Sequence, residues 1–201
     1  MKMTYSIIAV ILAGAPLFYL ASCNGQSTTG SNSTANSDTS KVKIHKTQEN
    51  AFEGLRNMAF SATPDQLGLS LPADKTVVYG VIMDWEMDGA TATTVSYQTG
   101  DASLYLSSGG GVIGGGEYEN VNSAAKQFVS LARSFLARTT KTETTPLPTT
   151  DRVKFYLLTN NGIYVGQDVM KNFENKSSEW LPLFEEGNKV LTELRMTTED
   201  K

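Results

Sequence analysis

The feature that most constrains the fold of this chain is a pair of β-rich segments joined by Asp88-Gly89. The first, from Thr76 to about Met87, is apolar on both alternating faces, which is typical of a central strand covered on both sides. The second, from Thr91 to Gln98, is rich in threonine, which favours a face exposed to water. Because Asp-Gly between two strand patterns is a strong signal for a tight hairpin, the sequence predicts an antiparallel sheet.

Further turns and alternating runs extend this sheet. Gly100-Asp101 marks a second turn and is followed by a third strand at 102–107. After a threonine- and proline-rich loop, residues 153–158 predict a fourth strand, and Asn160-Asn161-Gly162 turns it into a fifth at 163–165. We therefore expect a five-stranded antiparallel sheet made of a three-strand meander and a separate hairpin.

Three helical patterns surround these strands. One spans 49–60, and a second keeps helical spacing from Val121 to Leu136, with Asn120 or Asn122 as its N-cap. A third begins near residue 178 and is expected to be interrupted by Pro182 and Gly187. The sequence thus predicts an α+β fold with flanking helices. Its element order, α-β-β-β-α-β-β-α, is similar to that of profilin-like and roadblock-like folds.

The N-terminal 22 residues have the organisation of an export signal. Lys2 gives a positive start, an uncharged apolar run follows from Ile7 to Leu20, and two small residues precede Cys23. The run is about 14 residues long, whereas a helix that crosses a bilayer needs about 20. An uncleaved membrane helix is the alternative interpretation of this segment.

Leu20-Ala21-Ser22-Cys23 resembles the lipobox of bacterial lipoproteins, and Cys23 is the single cysteine of the chain. The resemblance implies that residues 1–22 are a signal peptide that is removed. It also implies that the thiol of Cys23 carries a diacylglycerol and that the new amino group carries a further acyl chain such as palmitate. The expected location is the bacterial cell envelope, anchored by lipid in the outer membrane.

Residues 23–46 are expected to form a disordered tether behind the lipidated cysteine, because a segment of serine, threonine, asparagine and glycine buries too little apolar surface to order itself. Residues 47–201 are expected to form a single α+β domain. The net charge is −4, and it becomes −5 when Lys2 is removed with the signal. A mildly acidic domain without a basic stripe is not expected to bind nucleic acid.

The second unusual stretch is rich in glycine and lies between a strand and a helix. Its six glycines are candidate ligand-binding residues: Gly109, Gly110, Gly111, Gly114, Gly115 and Gly116. Glycine lets backbone amides approach an anion or a nucleotide phosphate, although Glu117 stands where a P-loop has its lysine. Two other interpretations stay open: a surface that another backbone approaches, and a structural loop whose glycines adopt positive φ angles.

Asp84, Glu86 and Asp88 alternate at the end of the first predicted strand, which would place three carboxylates on one face. They resemble the start of a calcium loop and are candidate metal ligands, but Val95 stands where that loop has its bidentate glutamate. A solvent-facing strand end and acid/base catalysis are the alternatives. The single histidine, His45, lies in the predicted tether, which argues against the commonest hydrolase triads and zinc sites.

Three segments, 77–85, 100–117 and 153–162, look like those of uncharacterised bacterial proteins, and no activity follows from that resemblance. We predict a lipid-anchored envelope protein whose domain binds or assembles and does not catalyse. The expected partners are the membrane, through the lipid, and a protein or a second copy of the chain; no cofactor is expected. The alternative is an enzyme that binds a small molecule, a nucleotide or calcium through the glycines and the strand-end carboxylates.

Overall fold

The computed structural model describes residues 51–199. The predictions for the signal peptide at 1–22, the lipidated cysteine and tether at 23–46, and the start of the domain at 47 lie outside these residues. Within them the chain is α+β with one antiparallel sheet, as the sequence predicts, and it has four α-helices where three were expected. In chain order the elements are α1 (51–61), β1 (Val78–Met87), β2 (Ala90–Tyr97), β3 (Ala102–Leu106), β4 (Gly111–Val112), a 3-10 turn (Gly115–Glu117), α2 (Glu119–Ala132), a 3-10 turn (Arg133–Arg138), β5 (Thr140–Thr142), β6 (Arg152–Thr159), β7 (Gly162–Val169), α3 (Met170–Glu174) and α4 (Leu181–Glu199).

The sheet has seven strands, so the prediction of five was wrong. Its order is β4-β3-β2-β1-β6-β7-β5. The five predicted strands are its central five, and the additional strands are the short edge strands β4 and β5, of two and three residues. Such short strands show no alternating pattern, because their pairing with a neighbour, not their own sequence, defines them.

The hairpin between β1 and β2 forms at the predicted turn. Met87 pairs with Ala90 across the two-residue loop, and both loop residues have positive φ, 49° at Asp88 and 86° at Gly89. These angles belong to a type I′ turn, whose twist matches that of the two strands. This local signal therefore sets the register of the central strand pair.

Both faces of the sheet are buried, by different helices. On one face, α2 and α4 cover a cluster centred on Met83, Phe128 and Phe155. On the other face, α1 and the segment that follows it cover a cluster that contains Ile82 and Tyr156. The expectation that β1 is covered on both sides is thus confirmed.

The expectation that the threonine-rich face of β2 meets water was wrong. Thr93, Thr94 and Ser96 are fully buried. Thr93 points to the face under α1, where it bonds Asp84. The helices that cover this strand lie far from it in sequence, so its own pattern does not reveal them.

The helices differ from the predicted ones at several points. Tyr118, not an asparagine, is the N-cap residue of α2, and the Asn122 amide donates instead to the Gly116 carbonyl at 3.2 Å. α4 continues through Pro182 and Gly187. Pro182 lies in the first turn, where its missing N–H has no helical acceptor to lose. Gly187 lets the helix approach Met83 closely.

Candidate functional site

The first half of the glycine-rich segment forms a tight hairpin at one edge of the sheet. Gly109 and Gly110 have φ angles of 104° and 84°, and they turn the chain from β3 into β4. Gly111 pairs with Tyr105, and a Cβ at this position would collide with the carbonyl oxygen of Leu104. These three glycines therefore allow the backbone to make this turn. This is the role that the interpretation as a structural loop gives them.

The second half of the segment is a packed turn that leads into α2. Gly114 has a φ of 72°, Gly115 is buried beside Leu194, and Gly116 lies against Asp101. Between the two halves, Ile113 is 66 % exposed. The segment thus consists of an exposed edge strand and a packed turn, and none of the six glycines lines the cleft described below.

Asp84 is a fully buried carboxylate on β1 that is paired with Arg56 of α1. It accepts hydrogen bonds from Arg56 Nε at 3.2 Å and from the Thr93 hydroxyl at 2.6 Å. The Arg56 guanidinium lies 4.7 Å from the centroid of the Phe60 ring. Burying two charges costs free energy unless both are hydrogen-bonded, so these contacts give Asp84 a structural role.

The other two candidate metal ligands hold turns. Glu86 accepts one hydrogen bond from the Gly89 N–H at 2.7 Å and another from the Asp151 N–H at 2.6 Å. Asp88 lies beyond the end of β1, in the hairpin turn itself, so the three carboxylates do not share one face of the strand as expected. Within residues 51–199, no group of three or more His, Cys, Asp or Glu side chains is placed to hold a metal ion.

Residues 143–151, here called the strap, leave the sheet after β5 and cross β6. Three side chains from beneath donate to strap carbonyls: Arg56 Nη1 to Thr145 at 2.8 Å, Lys154 Nζ to Pro146 at 3.1 Å, and the Tyr156 hydroxyl to Pro146 at 2.6 Å. The contact between Glu86 and Asp151 fixes its far end. The strap is therefore held by side chains of α1, β1 and β6.

A cleft of about 410 Å³ lies between the strap and strands β6 and β7. Its charged lining residues are Arg138, Lys154 and Glu179, and most of its other lining residues are polar. Arg138 Nε lies 3.6 Å from Glu179 Oε2, and both side chains are at least half exposed, so this ion pair is weak.

Burial perturbs two titratable groups beside the cleft. Burial lowers the pKa of Lys154, and the positive charges of Arg56 and Arg152 add to this effect while Asp84 opposes it. Burial also raises the pKa of Tyr156 to about 12, with a further contribution from Asp84. The cleft therefore presents a phenol and a lysine side chain whose charged form burial disfavours.

No sequence motif singled out Arg56, Lys154 or Arg138. A signal for Arg56 was present, because it lies at helical spacing between Phe52 and Phe60, on the apolar side of α1. A charged residue on such a stripe is normally buried with a partner. No comparable signal marks Lys154, because it alternates with apolar residues in the manner of an ordinary strand.

Cys23 and His45 lie outside the residues that the structure describes. Between residues 51 and 199, no helix combines the length and the apolar character that crossing a membrane requires. Comparisons of the chain with protein-family models, with curated proteins and with solved structures found no match.

Proposed function

We propose that this protein is a bacterial envelope lipoprotein whose acyl chains on Cys23 hold it in the outer membrane, and whose domain binds a partner or assembles and does not catalyse. The observation that carries the proposal is the position of Cys23, the single cysteine, directly after Leu20-Ala21-Ser22 and an apolar run. Each buried methylene contributes about 0.8 kcal/mol, so two or more acyl chains anchor a protein stably.

The contacts of the strand-end carboxylates support a binding role over a catalytic one. A general acid or base must reach a substrate proton. Asp84 is instead fully buried against Arg56, and both carboxylate oxygens of Glu86 accept backbone N–H groups. The groups that the sequence suggested for acid/base chemistry are thus engaged in holding the fold.

The β4 edge supports assembly. Residues 109–116 carry no charge, and Ile113 is exposed beside the two-residue strand. A sheet edge without charge can template a strand from another chain, because its outer N–H and C=O groups have no partner within the sheet. The predicted element order is similar to that of profilin-like and roadblock-like folds. We propose this similarity for the fold alone, because a fold does not imply an activity.

Cell fractionation together with mass spectrometry tests the anchor. The Cys23→Ala variant is expected to leave the membrane fraction after washes with high salt and carbonate, whereas Ser22→Ala, which keeps a small residue before the cysteine, is expected to stay. The mature wild-type chain is expected to begin at an acylated Cys23. A mature chain with a free thiol, or a Cys23→Ala variant that resists both washes, contradicts the proposal.

A further inference from the structure

Lys154 is a cation without an ion-pair partner within residues 51–199. The acid that most raises its pKa, Asp84, is already paired with Arg56. The ammonium group donates two hydrogen bonds, to the neutral carbonyls of Pro146 and Leu147, at 3.1 and 3.2 Å. A partly buried cation with only neutral acceptors is stabilised further when an anion approaches it.

Arg138 supplies a second cation to the same cleft. Its guanidinium lies 5.1 Å from the centroid of the Phe135 ring, which supports the planar group on one side. Its contact with Glu179, from Nε to Oε2, is 3.6 Å long, which exceeds hydrogen-bonding distance, so this pair leaves guanidinium donors available in the described structure. Arginine donors in this fork geometry match the paired oxygens of a carboxylate or a phosphate.

The size and lining of the cleft fit a small ligand. Its volume of about 410 Å³ lies in the range of about 300–1,000 Å³ that is typical of small-molecule sites. Two cations face one acid in the lining, and Thr144 and Gln167 add uncharged hydrogen-bonding groups. This local excess of positive charge is notable in a chain whose net charge is −4.

We propose that this cleft binds a small organic anion, with its carboxylate or phosphate group between Lys154 and Arg138. The strap forms one wall of the site, because its carbonyls hold the Lys154 ammonium in place. The site is separate from the glycine-rich segment and does not depend on how the chain is anchored.

Isothermal titration calorimetry on the full chain in detergent, at constant ionic strength, tests this site. One series uses succinate and the other uses inorganic phosphate and glycerol 3-phosphate, with glycerol as the uncharged control. We expect saturable binding in at least one series, and the series that binds identifies the head group. Absence of saturable heat in both series overturns the proposal.

Variants locate the site. Arg138→Gln and Lys154→Gln are each expected to weaken binding about tenfold or more, because each removes a charge-assisted hydrogen bond. Lys189→Gln is the matched control, since Lys189 Nζ donates to Gln127 between α4 and α2. If Lys154→Gln fails to fold, the affinity of the exposed Arg138→Gln variant alone tests the site. Binding to Arg138→Gln with wild-type affinity overturns the proposal, as does equal weakening by Lys189→Gln.

Discussion

The guanidinium of Arg56 and the carboxylate of Asp84 form a buried ion pair that joins two elements 28 residues apart. Arg56 is 6 % exposed and Asp84 is 0 % exposed. The pair fixes α1 over the central strand, and Arg56 also reaches the strap through Thr145. Arg56 thus positions a helix, a strand and the strap on the same face of the sheet.

Removing one partner of this pair is expected to destabilise the domain strongly. Arg56→Leu leaves the Asp84 carboxylate buried without its counter-ion, which costs about 3–5 kcal/mol in other proteins. Arg138→Gln, which removes a half-exposed pair, is expected to cost less than about 1 kcal/mol. Urea denaturation measures the free energy of unfolding of both variants.

A double variant separates the buried charge from the loss of packing. Arg56→Leu combined with Asp84→Leu is expected to be more stable than Arg56→Leu alone, because no unpaired charge then remains inside. A double variant at least as unstable as the single one would show that the pair contributes through packing only.

Glu86→Gln is expected to loosen the strap. The amide can replace only one of the two acceptor oxygens that bind the N–H groups of Gly89 and Asp151, and its NH₂ faces the other N–H. We expect a loss of about 1–3 kcal/mol and faster hydrogen exchange in residues 143–151. Glu185→Gln, at an exposed position of α4, is the control. Equal exchange in both variants would contradict the role of Glu86.

Tyr156→Phe is expected to change how stability depends on alkaline pH. At pH 7 the variant loses the hydrogen bond to Pro146, worth about 1 kcal/mol. Burial raises the pKa of Tyr156 from 10.0 to about 12, so above pH 10 the unfolded phenol ionises while the folded one stays protonated. The wild type therefore loses stability as pH rises through this window, and the variant escapes that loss.

Urea midpoints of both chains at pH 7, 10 and 11 check this prediction. The difference in urea midpoint between wild type and Tyr156→Phe is expected to become smaller as pH rises above 10. Burial also raises the pKa of Tyr79 and of Tyr97, but both are present in both chains and cancel in the comparison. A gap that stays constant with pH would be inconsistent with the raised pKa of Tyr156.

Gly166→Ala is expected to destabilise the domain by about 1–3 kcal/mol. An added Cβ would overlap the Trp180 ring. That ring cannot retreat freely, because it stacks between Phe155 and Phe135 at centroid distances of 5.6 and 5.3 Å. Gly54→Ala is the control: no atom lies within 4 Å of its added Cβ, and alanine in a helix is expected to gain about 0.5–1 kcal/mol. Thermal unfolding measures both, and a neutral Gly166→Ala would contradict the tight approach.

Ile113→Lys is expected to reduce self-association of the full chain in sedimentation experiments. A charge beside β4 opposes pairing with another strand, and Ile113 is 66 % exposed, so stability should change by less than about 0.5 kcal/mol. Met58→Lys, at a residue that is 61 % exposed on α1, is the control. A monomeric wild type would remove self-assembly from the proposed function.

Signals confined to neighbouring residues predicted much of the fold. The Asp88-Gly89 turn set the register of β1 and β2, and the helical spacing from Val121 marked α2. β4 and β5 escaped prediction because strands of two and three residues exist only through their partners. The expected break in α4 was wrong because Pro182 falls in the first turn, where it is tolerated.

The candidate site was less predictable. Asp84 and Glu86 were singled out as metal ligands, but their partners, Arg56 and the Asp151 N–H, come from distant segments. Only the folded chain brings Lys154 and Arg138 to the same cleft. A pattern in one strand carries no information about which distant loop will cross it.

The sequence alone determined the order of the main elements, the central hairpin and the hypothesis of a lipid anchor at Cys23, because turn chemistry, residue periodicity and the export signal are all local. The tertiary structure alone decided which polar groups are buried and which groups they bond to. Thr93 illustrates the difference: its strand pattern favours water, yet α1 covers it and Asp84 accepts its hydroxyl proton. Burial depends on segments that meet only in the folded chain, so it cannot be deduced from one segment.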